Sequence, residues 1–76
     1  LMQVDREDLH RWLYQQLGYY DRLIVTLHYT ENLTMLEVGR FMGYSESRVS
    51  QRLKHIHELL KTRMNDNPEM ELLMAG

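Results

Sequence analysis

Ser47, Gln51 and Lys54 recur at spacings of four and three, with Arg48 and His55 on one side and Ser50 and Lys61 on the other. At about 100° per residue these side chains share one broad helix face. Their common chemistry is hydrogen bonding to the edges of nucleic-acid bases. A glutamine amide forms a bidentate pair with adenine, serine serves several bases, and arginine or lysine takes guanine or a phosphate. Opposite them Val49, Leu53, Ile56 and Leu60 fall in one narrow stripe, the pattern of a core-facing surface. An ordinary solvated helix face has the same composition, so the preceding segment must decide between the two readings.

That segment moves the balance towards DNA. Thr34 and Glu37 stand three apart, the spacing of a capping box, and open a short helix. Val38 and Met42 share one face of it, with Gly39 beside them to admit a close backbone. Gly43 breaks this helix and Ser45 caps the next. Two helices joined by a three- to four-residue turn containing glycine make a helix-turn-helix, whose second helix enters the major groove. Backbone N–H groups after Leu33, with the Thr34 hydroxyl, form an expected phosphate site.

Other chemistries find little support. There is no cysteine, which removes disulfides and thiolate metal sites. His55 and His57 lie two apart, about 200° around a helix, and cannot share a metal. His10 and His28 fall in different helices without a matching acid cluster. No glycine-rich phosphate loop or nucleophile elbow occurs. The expectation is a non-enzyme with no cofactor and no metal. No apolar run approaches the roughly 18 residues of a membrane span, so no membrane contact is expected and the cytoplasm is the expected location.

The remaining elements must hold the motif in place. In 76 residues the chain builds one modest core, which favours compact helix packing. Asp5 is a plausible cap for a first helix carrying Leu9, Trp12, Leu13 and Leu17, expected to end at Gly18. Trp12 is read as a buried or half-buried anchor. Tyr19, Tyr20 and Asp21 open a second helix, with Asp21 at its positive end and Ile24 and Leu27 on its apolar face. Asn32 is its expected left-handed stop. Val25 and Thr26 also fit a strand over 23–29, but the flanking caps favour helix. The fold class is therefore all-α, a four-helix domain with a C-terminal helix-turn-helix over residues 1–64. Residues 65–76 form an acidic tail begun by Asn65, Asp66, Asn67 and Pro68, in which 69–75 is a short docking helix, a partner contact or neither.

Charge follows the same division. The net charge of −2 resolves into −2 over residues 1–45, +3 over 46–64 and −3 over 65–76. The positive charge sits on the second helix of the motif. A domain so flanked should bind DNA weakly alone, with a modest salt dependence.

The run Leu33-Thr34-x-x-Glu37-Val38-Gly39-x-x-Met42-Gly43-Tyr44-Ser45-Glu46-Ser47-Arg48-Val49-Ser50-Gln51 resembles region 4 of bacterial sigma-70 family sigma factors. Gly43–Gln51 is most similar to the flagellar and sporulation-type branch, and residues 21–29 look like the preceding helix. The resemblance implies recognition of the upstream (−35) promoter element and binding to the β flap of RNA polymerase core, with an anti-sigma factor as a further possible partner. It places base-reading positions on Glu46, Ser47 and Gln51, a base- or backbone-contacting one on Arg48, and phosphate-contacting ones on Arg22, Thr34 and Met35. With the face read above, the expected DNA-binding residues are Arg22, Thr34, Met35, Ser45, Glu46, Ser47, Arg48, Ser50, Gln51 and Lys54. Where Arg52 stands the family usually has an apolar residue. Leu53 is expected to carry that packing, with the helix slightly rotated.

Two rivals belong to other classes. A LuxR-type response-regulator output domain also builds four helices around a helix-turn-helix, but the Val-Gly and Ser-Arg-Val-Ser-Gln details favour sigma. A protein-interaction module would use the six methionines with Leu36 and Phe41, which lie off the core stripe.

Overall fold

The computed structural model describes residues 6–68, and among them every regular element is a helix. The first, α1 (Arg6–Gln15), buries Leu9 and half-buries Trp12 and Leu13. It stops before Gly18. The N–H groups of Gln16 and Leu17 turn back to the carbonyls of Leu13 and Tyr14, both at 3.1 Å. This three-residue spacing tightens the last turn and leaves Leu17 buried beneath it. Gly18 instead takes the extended backbone that precedes α2 (Tyr19–Val25). Asp5 and the 69–75 segment lie outside the described residues.

The second helix does not end at Val25. It runs on as a π-helical stretch, Thr26–Thr30, closed by the Glu31 N–H to the Thr26 carbonyl at 3.0 Å. Asn32, with φ of 58°, then ends it in the left-handed conformation that asparagine tolerates. The strand alternative for 23–29 is thereby excluded. Next comes α3 (Met35–Met42), and α4 (Glu46–Asn65) completes the set. α4 packs along α3 and α2, while α3 also meets the π-helical stretch.

The core lies where these elements converge. Ile24 from α2, Val38 from α3, and Val49 and Leu53 from α4 form one buried cluster, padded by Leu27, Leu33, Met35, Met42 and Tyr44. Ile56 is also fully buried and Leu60 half-buried, so the apolar stripe of α4 faces inward as its spacing requires. Leu53 packs in the core as expected, and the stripe is not displaced by Arg52. Among the described residues no helix is long and apolar enough to cross a membrane.

The start of α3 is a complete capping box. The Glu37 N–H donates to the Thr34 hydroxyl at 3.1 Å, and the Thr34 N–H donates to the Glu37 carboxylate at 3.0 Å. The Thr34 N–H, then its hydroxyl, and to a lesser degree the Arg40 charge hold the Glu37 carboxyl below its ordinary range. A carboxyl lowered in the folded state stabilises the fold in full above its unfolded pKa, and that contribution vanishes as pH falls through the folded value. Glu37→Gln, which keeps the acceptor but cannot titrate, should therefore flatten the acid limb of a stability–pH curve below about pH 5. Identical acid limbs for the two proteins would refute this role.

Candidate nucleic-acid interface

The presentation of α4 is set by the turn before it. Gly43 closes α3 with φ of 76°, a left-handed conformation that glycine takes without strain. The Tyr44 N–H then donates to the Gly39 carbonyl at 2.7 Å, folding the turn tightly over α3. A β-carbon on Gly39 would sit 2.5 Å from the Tyr44 carbonyl oxygen, so only glycine admits this approach. Ser45 starts α4 by accepting the Arg48 N–H at 3.1 Å. Tyr44 and Val49 occupy the positions of a hydrophobic staple, and Tyr44 packs on the cluster that contains Val49.

With Val49, Leu53 and Ile56 turned inward, Glu46, Ser47, Ser50, Gln51, Lys54 and His55 all stand exposed on α4. These include the residues expected to read bases. Ser45 stands exposed at its leading edge. Arg48 is also exposed, but its side chain is not loose: the guanidinium carbon lies 4.0 Å over the Tyr44 ring. A groove of about 440 Å³ runs beside it between α4 and the start of α2.

The three residues expected to contact phosphate differ in what they present. The Thr34 hydroxyl accepts the Glu37 N–H in the capping box and keeps its own O–H to donate, while Glu37 puts a carboxylate at the α3 N-terminus. That helix end also presents the first-turn N–H groups of Met35 and Leu36. Met35 turns its side chain to the core and so offers backbone alone. Arg22 is exposed, with its Nε donating to the Tyr14 carbonyl at 2.6 Å, which ties α2 to the end of α1.

The residue expected to rotate α4 does something else. Arg52 reaches across to α2 and donates twice, through Nε and a terminal nitrogen, to the two oxygens of Asp21, both at 2.6 Å. The Asp21 side chain is 9% exposed and that of Arg52 44%. The bidentate contact to Asp21 raises the Arg52 pKa. Arg52 is thus a strut between α2 and α4, and its charge is not available to DNA. Asp21 serves more than the helix dipole. Neither Asp21 nor Tyr44 stood out from sequence as part of the site. The first pair joins positions 31 apart, whereas the Tyr44–Arg48 spacing of four was a readable signal.

Two of the four histidines, His28 and His57, take structural places. His28 Nδ1 lies 2.8 Å from the Leu33 carbonyl, and the Tyr29 hydroxyl 2.8 Å from His57 Nε2, joining the π-helical stretch to α4. Among the described residues no group of three His, Cys, Asp or Glu side chains could hold a metal ion.

Comparison with known proteins agrees with this geometry. The family model "Sigma-70, region 4" matches residues 15–62, more than half of the chain. The curated RNA polymerase sigma factor FliA of Pseudomonas aeruginosa is 41% identical over 46 residues, which is 60% of this chain and 19% of that protein. The chain thus spans about a fifth of the relative it matches. No solved structure matches it. The helix-turn-helix with its exposed polar α4 face, and the family match that covers it, together show that this chain belongs to the sigma-70 region 4 family of sigma-factor DNA-binding domains.

Proposed function

We propose that α4 lies in the major groove of the upstream (−35) promoter element, with the domain held there by the β flap of RNA polymerase core. The observation that carries this reading is the exposed row Ser47, Gln51 and Lys54 directly behind a fully buried Val49 and Ile56. Glu46 and Ser47 in the first turn and Gln51 in the second are the base-reading residues, with Ser45, Arg48, Ser50 and Lys54 at the flanks. The Met35 backbone N–H at the head of α3 and Arg22 on α2 serve phosphates. Polymerase is needed because the acidic segments around the reading helix oppose stand-alone binding. Leu36 and Phe41 are 45% and 66% exposed on α3, and fit a protein partner, either polymerase or an anti-sigma factor. The domain works where transcription does, in the cytoplasm.

Gln51→Ala tests the assignment. In polymerase holoenzyme it should relax preference at one base pair of the upstream element by about 1–3 kcal/mol, the worth of a bidentate contact. A promoter-variant series with unchanged preference would sink the assignment of Gln51.

A further inference from the structure

Arg48 and Arg52 stand one turn apart on the same flank of α4, yet they are held by different partners. Arg52 is locked to Asp21 by two bonds of 2.6 Å. Arg48 has its guanidinium carbon 4.0 Å from the centre of the Tyr44 ring. That ring is itself fixed. Its backbone N–H is bonded to Gly39, and its side chain packs half-buried on the core cluster. Because Asp21 is already taken by Arg52, Arg48 remains the guanidinium on this flank that a ligand can reach. It sits at the edge of the groove between α4 and α2, on the same rim as Gln51.

We propose that Tyr44 is a positioning residue for DNA binding, its ring holding the Arg48 guanidinium ready to meet the DNA backbone beside the bases read by Gln51. This inference rests on the DNA reading above. A free arginine side chain loses several rotamers on binding, whereas one already resting on a ring loses fewer. The attraction comes from the negative face of the ring and strengthens or weakens with that face, independently of ring size. The hydroxyl of Tyr44 is not needed.

The test places ring-fluorinated phenylalanines at position 44. Fluorine drains the negative face of the ring while nearly preserving its shape, so the fold is kept. Affinity for a duplex carrying the upstream element is measured with the chain as part of polymerase holoenzyme, for Tyr44→Phe and for one, two and three ring fluorines. Tyr44→Phe should bind within about twofold of the parent, and the fluorinated series should weaken stepwise to about three- to fivefold. In an Arg48→Ala background the series should be flat. A flat series with Arg48 present, or a decline that persists without Arg48, overturns the inference. If Gln51→Ala still alters base preference in that case, the DNA reading survives it. If neither Gln51→Ala nor Arg48→Ala affects DNA, both fall together.

Discussion

Arg52→Ala should lower stability by about 2–4 kcal/mol, because it leaves the Asp21 carboxylate buried without its partner. The full cost of orphaning a buried charge is about 3–5 kcal/mol. Here it is reduced, since Arg52 is 44% exposed and water can follow the lost guanidinium in. A domain of this size has only about 3–5 kcal/mol in hand, so the variant should lose most of its stability and populate the unfolded state measurably at 37 °C. Replacing both partners gives a different result. Asp21→Leu with Arg52→Leu removes the charge together with its counter-charge and should recover most of the loss, less the small benefit of an acid in the first turn of α2. Urea unfolding of the three proteins checks this. A wild-type midpoint for Arg52→Ala, or a double variant as unstable as the single one, would show that the pair is not what joins α2 to α4.

Gly39→Val should cost roughly 3 kcal/mol, at the upper end of overpacking penalties. The new β-carbon would meet the Tyr44 carbonyl oxygen at 2.5 Å, and that oxygen belongs to a backbone held by the Gly39–Tyr44 hydrogen bond. The turn must open, and opening it shifts Ser45 and with it the start of α4. The same substitution should therefore weaken promoter binding by more than its stability loss alone explains. Thermal melting with a promoter-binding measurement on the folded fraction separates the two effects. A valine variant that melts within 2 °C of the parent would mean the turn is not packed as described.

The fold was legible mostly where its causes are local. Thr34 with Glu37, Gly43, Ser45 and Asn32 each act within a few residues, and each caps or stops a helix as its type requires. The stripe Val49, Leu53 and Ile56 followed from spacing alone, and from it the exposed face opposite. Three features escaped, and only the last of them because its cause is not local. The π-helical stretch Thr26–Thr30 adds a residue to a turn without disturbing the apolar pattern that signals a helix. The early end of α1 depends on Leu17 being drawn under the last turn. The Asp21–Arg52 strut joins two residues whose neighbours in sequence give no hint of each other.

Arg52 is also where the family pattern is most informative. An apolar residue at that position would pack directly, whereas here an arginine lies at the rim of the core and is neutralised by an acid on the facing helix. The positive balance of residues 46–64 therefore overstates what α4 offers to phosphate, since one of its cations is consumed within the fold. Arg48, Lys54, Lys61 and Arg63 are the exposed cations of α4 outside that pair.

On the proposed function, the outward face of α4 is the surface that meets DNA. A photo-crosslinking amino acid placed in turn at positions 47, 54 and 41 tests it in the polymerase–promoter complex. Positions 47 and 54 should crosslink within one short segment of the upstream element, and position 41, on the exposed face of α3, should reach protein instead. Crosslinks to DNA from position 41, with none from 47 or 54, would mean that another face of the domain meets the promoter.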